Sequence, residues 1–454
     1  MKNIIKKHIG LIVLLVLILA FPASMSTQAR LNMRVIITGL AIDKTDEGYE
    51  VTAQIVKPSP SSESSGTGAS INFISDKGET IVSALSKLSY KSGKVAGFSH
   101  TNFILLGKEL IKENVSQILD YFLRDTIIKD SVLLLVAKDS AKEEIKKTKD
   151  VELSVGLGLQ KVFVYKEKES DGTMTSLLNF VNSSYGHSKT ALTSILSFTD
   201  ESGQSGQSAD QSQTKQSSGE GSAEQGTSSG SESGSSGSES GSSGAEGGSG
   251  SGSEQSSSKS GEQQSSSESS GSEQKSQYFE AITPLACFVS GKLVGMLESK
   301  EEVLGYMYAS NKCQAEDISL ENISFGKLTN AKVGIDVKNK TNKKKIRFEG
   351  EMPCLDIYVN ITNASIKEIQ SEEFVKNPTN EEFEFIKKNI KEKISETIAL
   401  TFEKSKQLGA DVFGAFDIAN KFHYKTIKNK FQTMEEFINE LKLNVIVNIS
   451  RLEF

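Results

Sequence analysis

The sequence predicts an α+β protein: mixed, largely antiparallel sheets with packed helices in two or three domains, interrupted by a disordered Ser/Gly/Glu linker. Three observations carry this reading. Several stretches alternate apolar and polar residues at period two, the pattern of half-buried antiparallel strands. Other stretches repeat apolar residues at spacings of 3, 4 and 7, which gives a helix one buried face. The third is the tract Asp200 to Gln277, almost wholly Ser, Gly, Gln and Glu, which has too little apolar surface to fold. Setting it aside leaves roughly 350 foldable residues, room for two or three domains.

The chain opens with Lys2, Lys6 and Lys7, then an apolar run from Ile9 to Ala23 and small residues through Ala29. A basic flank before a short apolar core makes residues 1–29 a signal peptide or an uncleaved signal anchor, with the remaining chain outside the cytoplasm. A first domain spans 30–199. It starts with a strand from Arg34 to Ile42 and an Asp/Gly turn, followed by Tyr49, Val51, Ala53 and Ile55 in alternation. A short strand near Ile71 and Phe73 precedes a helix with Ile81, Ala84, Leu85 and Leu88 on one stripe. Phe103 to Leu106 is an apolar strand, a helix buries Val115, Ile118, Leu119 and Phe122, and Val132 to Val136 is another apolar run. Ser140 and Glu143 have capping-box spacing.

Beyond the linker, 200–277, the second domain spans 278–454. Leu285 to Leu297 reads as a hairpin around Ser290-Gly291, and Val303, Leu304 and Met307 as a short helix. Strands follow at Val333 to Val337, Ile346 to Phe348 and Leu355 to Ile361. Lys338 to Lys345 reads as a solvated hairpin turn, with contact to anionic lipid headgroups as the sharper alternative. A long helix from Asn380 to Gln407 carries Phe383, Ile386, Ile390, Ile394 and Ile398, and Leu443 to Ile449 closes the chain as a strand.

Composition excludes several classes of function. The linker holds 12 acidic residues against Lys215, Lys259 and Lys275, so the net charge of −6 belongs to it and the folded parts show no nucleic-acid footprint. Cys287, Cys313 and Cys354 allow one bridge and a free thiol, or three free thiols. His100, His187 and His423 form no metal-ligand spacing, so no metal and no cofactor are expected. No nucleophile elbow lies in the foldable parts, and Gly156-Leu157-Gly158 is too short for a dinucleotide fingerprint. We therefore read no catalytic, cofactor-binding, metal or lipidation residue. His100 is either a pH-responsive or partner-contacting residue or a packing residue. Arg124-Asp125 reads as a helix end.

Five stretches, taken in order, resemble the Ger(x)C family, the GerAC-like C subunits of spore germinant receptors. They are Ile37 to Lys44 (ITGLAIDK), Gly97 to Thr101 (GFSHT), Ile118 to Asp125 (ILDYFLRD) running on to Leu134 to Lys138, Phe288 to Gly295, and Gly409 to Gly414. The resemblance implies a noncatalytic, three-domain mixed α/β subunit that assembles with A and B membrane subunits on the outer face of the inner spore membrane. Two departures stand out. The family's usual lipobox Cys is missing, since the first Cys is Cys287. The linker is the other: a flexible tether of that length lets the two halves occupy separate positions. A stand-alone extracytoplasmic protein binding a solute or polymer is the alternative function.

Overall fold

The computed structural model describes residues 34–58, 69–124, 128–151, 157–199, 278–279, 283–313, 315–372, 375 and 377–454. The expected export segment, the linker, Asp125 and Gly156 lie outside them.

Residues before the tract build β1 (Arg34–Thr45), β2 (Gly48–Pro58), β3 (Ala69–Gly78), α1 (Ile81–Ser92), β4 (Val95–Gly97), β5 (Phe103–Leu106), α2 (Val115–Arg124), β6 (Leu133–Ala137), α3 (Ala141–Val151), α4 (Leu157–Lys168), α5 (Leu177–Tyr185), β7 (Thr190–Leu196) and β8 (Phe198–Thr199). Helix α1 shows how local sequence sets these bounds. Thr80 Oγ1 accepts the Ser83 N–H at 3.1 Å, Gly93 ends the helix at φ 64°, and Ile81, Ala84, Leu85 and Leu88 are the buried stripe.

After the tract come β9 (Tyr278–Phe279), β10 (Leu285–Val289), β11 (Lys292–Leu297), α6 (Lys300–Tyr308), β12 (Ala315–Phe325), β13 (Leu328–Glu349), β14 (Met352–Gln370), α7 (Asn380–Gln407), α8 (Ala415–Lys430), α9 (Met434–Glu440) and β15 (Lys442–Glu453). Helix α7 opens on a capping box, Thr379 with Glu382, and buries Ile386, Ile390, Ile394 and Ile398.

These strands form a nine-stranded sheet in the order β11-β10-β7-β6-β5-β1-β2-β3, with β4 beside β1, a four-stranded sheet in the order β12-β13-β14-β15, and a two-stranded pair, β8-β9. The fold is mixed α+β. Antiparallel hairpins flank the nine-stranded sheet, but its centre, β1, β5, β6 and β7, is parallel. Leu40, Ile42, Ile104, Leu106, Leu134 and Val136 pack on one face with α1, α2 and α5. Ala41, Phe103, Leu105, Leu133 and Leu135 pack on the other with Ala141, Ile145, Leu159 and Phe163 of α3 and α4. The four-stranded sheet has its apolar core on one face, against α7, α8 and α9.

Two expectations are corrected. Lys338 to Lys345 is no hairpin turn: Val333–Val337 and Ile346–Phe348 belong to one unbroken strand, β13. Asn339 takes the left-handed φ of 59° that turn chemistry suggests, but within a strand. Lys340 and Lys344 point inward and donate to carbonyls, Lys340 Nζ to Met307 and Tyr308 at 2.7 and 3.0 Å, Lys344 Nζ to Phe413 at 3.0 Å. Their charged tips find oxygen and stand over the Tyr308 and Phe413 rings, so a polar-looking run serves as a strand.

The second correction concerns the tether. Strand β10 pairs with β7 along its whole length, from Leu285↔Ser194 to Val289↔Thr190. The residues that flank the tract are themselves paired, Phe198↔Phe279 and Thr199↔Tyr278. The tract therefore joins neighbouring strands of one body and does not let the halves take separate positions. Alternate residues of β10 serve two cores: Ala286 and Phe288 join the core under α1, α2 and α5, while Leu285 and Cys287 join Val303, Met307, Cys313, Ala410 and Val412 at the seam with the second sheet.

Candidate functional site

The stretches that carry the resemblance have structural work at the carboxyl ends of the parallel strands. Asp43, at the end of β1, accepts the Ala141 and Lys142 N–H groups at 2.8 Å each and so caps α3, about a hundred residues away along the chain. A Cβ on Gly107 would overlap that carboxylate, and one on Gly39 would overlap the Phe103 ring on β5. In open α/β sheets this end of the strands is where anionic ligands meet helix N-termini. Here a carboxylate of the chain itself occupies the position. Burial raises the Asp43 pKa, against the pull of the two amides.

Other residues singled out from the sequence scatter. His100 is exposed in a turn, and its neighbours hold the strand: Thr101 Oγ1 donates to the Ile37 carbonyl at 3.4 Å and the Asn102 N–H to Thr38 O at 2.9 Å. Arg124 Nε pairs back along its helix with Asp120 at 2.6 Å rather than with the terminal carbonyls. His187 is exposed. His423 lies at a kink in α8 (φ −131°), with Nε2 3.1 Å from Ile346 O. The three cysteines are buried free thiols, and burial pushes Cys287 up to about 12. Among the described residues no three His, Cys, Asp or Glu side chains are placed to hold a metal ion, and no helix is long and apolar enough to cross a membrane.

What the fold does bring together is a cleft of about 680 Å³ at the seam of the two sheets. Asn179 and Ser183 of α5, Ser188 and Thr190 to Leu192 line it from one side, Asn342 to Lys344 of β13 and Asp411 to Gly414 from the other. Hydrogen bonds cross the seam at its walls. Asp417 accepts the Ser188 N–H and hydroxyl at 2.9 and 2.7 Å, and the Asp411 N–H donates to Thr190 Oγ1 at 3.0 Å. Lys312 Nζ meets Glu167 at 2.9 Å.

Asp411 caps α8 through the Ala415 and Phe416 amides, at 2.7 and 2.8 Å. Its pKa is nevertheless raised to about 6, because burial outweighs those amides. Burial also lowers Lys344 to about 8, countered in part by Asp411. Gly409 to Gly414 is one of the stretches that carry the resemblance, and the Asp-to-helix spacing inside it was the available signal for the cap. The run Lys338 to Lys345 drew notice only as a charged turn, and nothing local gave Asn342 and Lys344 a shared role, since that comes from the opposite wall.

The molecule is thus a two-sheet α+β protein whose motif residues position strands and cap helices around a polar seam. Comparison with known proteins places it more narrowly. A family model described as the spore germination protein N-terminal domain matches residues 27–198, and one described as spore germination B3/GerAC like, C-terminal, matches residues 283–453. The chain belongs to this GerAC-like family of spore germination proteins.

It is 39% identical over 106 residues to spore germination protein B3 of Bacillus subtilis (strain 168), covering 23% of this chain and 28% of that protein. It is 27% identical over 150 residues to spore germination protein KC of the same organism, covering 32% and 37%. These matches thus span well under half the length of either relative. The crystal structure of the GerBC protein aligns with a TM-score of 0.47 at 15% identity, over 91% of this chain and 96% of that one.

Proposed function

We propose that the chain is a noncatalytic C subunit of a nutrient germinant receptor, assembling with A and B membrane subunits at the outer face of the inner spore membrane. The observation that supports this reading is the order of the family matches: an N-terminal model on one side of the tract and a C-terminal model on the other, together covering nearly all of the folded residues. The apolar segment Ile9 to Ala23, with no Cys near it, makes that segment or the partners the means of attachment. In the spore-forming host, deleting the gene together with its paralogues should abolish the response to at least one nutrient, and a tagged copy should restore it and co-purify with A and B subunits. Normal germination of the deleted strain with every nutrient would overturn the reading.

A further inference from the structure

We propose that the cleft between the two sheets is a binding site for a small organic carboxylate that also carries a hydrogen-bond donor. Lys344 supplies the first half of the argument. It lies in the inward-facing row of β13, its ammonium donates to the Phe413 carbonyl at 3.0 Å, and among the described residues it forms no ion pair. Both neighbouring acids have their oxygens engaged elsewhere: those of Asp411 hold the Ala415 and Phe416 amides, and those of Asp417 hold Ser188. A half-buried ammonium with donors to spare is stabilised by an incoming carboxylate, through a charge-assisted hydrogen bond in a partly desolvated setting.

Asn342 supplies the second half. It sits two residues before Lys344 on the same face of the strand, and its amide group donates to the Tyr308 and Ser310 carbonyls at 2.7 Å each. Its Oδ1 is buried and has no partner among the described residues. An amide oxygen accepts only, so it calls for a donor. Two residues along a strand span about 7 Å, the reach of a short carbon chain. A cleft of 680 Å³ between packed units is of the size that takes small molecules. Lys343, exposed at the same wall, adds positive charge at the entrance. This site goes beyond the receptor-subunit reading and can fail without it.

Isothermal titration of the full chain with 3-hydroxybutyrate, butyrate and butylammonium tests the site. 3-Hydroxybutyrate should bind saturably, butyrate more weakly and butylammonium not at all. Lys344→Met should weaken 3-hydroxybutyrate binding by roughly tenfold to a hundredfold, the cost of one charge-assisted hydrogen bond, and Asn342→Leu should bring it to the level of butyrate. Asn179→Trp fills the cleft from an exposed position on α5 and should abolish binding with an unchanged thermal melt, which guards against a misfolded Lys344 variant. Absence of saturable binding by either carboxylate at millimolar concentration, binding that survives both Lys344→Met and Asn179→Trp, or tighter binding of butylammonium than of the carboxylates would each overturn the proposal.

Discussion

The two sheets solve the burial of a strand in different ways. The nine-stranded sheet is covered on both faces, so consecutive residues of β5 and β6 are all buried. Its strands read as unbroken apolar runs, as parallel strands between helix layers do. The four-stranded sheet is covered on one face. Along β14, Leu355, Ile357, Val359 and Ile361 enter the core, while Tyr358 and Asn360 are only half-buried. Its outer face is polar: Arg347 Nε reaches both Asp356 oxygens at 3.0 and 2.9 Å, and Asn444 Nδ2 donates to Asp356 at 2.8 Å. The contrast teaches that at the parallel centre of the first sheet consecutive strand positions are core positions, whereas along Ile357 to Ile361 of the second only every other one is.

Neighbouring substitutions expose the difference most strongly. Ile104→Ala and Leu105→Ala on β5 should each cost about 3 kcal/mol, because each removes a side chain from a filled core. On β14, Ile357→Ala should cost about as much and Tyr358→Ala less than about 1 kcal/mol. Denaturant unfolding of the four variants measures this, and a silent Leu105→Ala would break the comparison.

The seam between the sheets gives an effect of intermediate size. Glu316 of β12 is buried with Oε1 unpartnered, and burial raises its pKa to about 8 despite Lys340 and the Tyr308 hydroxyl, with Asp171 and Asp317 adding to the rise. The folded chain therefore keeps a proton there that the unfolded chain loses above its ordinary value of 4.5. Stability falls as pH rises from that value toward 8 and levels off beyond it. Glu316→Gln should add on the order of 2 kcal/mol at pH 8 and almost nothing near pH 4. Thermal melts of both proteins across that range check the sign; a gain that is the same at both ends would assign the effect to something other than titration.

A smaller effect than that of Glu316 lies back in the nine-stranded sheet. Asp43→Ala should cost about 1 kcal/mol by uncapping α3, and Gly107→Ala should reproduce that loss by displacing the same carboxylate. Amide hydrogen exchange should rise at Ala141 and Lys142 in both variants. Protection that persists in either would show that the cap does not hold the helix.

Much of this architecture was legible along the chain, and the boundary of what was legible has a physical cause. The stripes of α1 and α7 and the alternation of β14 and β15 were plain, because local periodicity encodes which face of an element is buried. It does not encode which element lies against that face. The apolar runs Phe103–Leu106 and Val132–Val136 gave no hint that they are parallel neighbours, nor did Leu285–Val289 reveal that it belongs to the earlier sheet. The run Lys338 to Lys345 misled because its carbonyl partners come from Met307, Tyr308 and Phe413. The cleft was invisible for the same reason: Asn342, Lys344 and Asp411 acquire a shared role only when the second sheet meets Ser188 and Thr190.

The pairing of β10 with β7 also orders events in time. Residue 199 precedes β10 by a stretch that a ribosome makes at about 5 to 20 residues per second, so the edge of β7 stays unpaired for roughly 4 to 17 seconds. An open strand edge is a template for wrong partners. The residues synthesised in that interval are mostly Ser, Gly, Gln and Glu, a composition with little β propensity and therefore a poor competitor for the edge. The place beside β7 is left vacant until the right strand arrives.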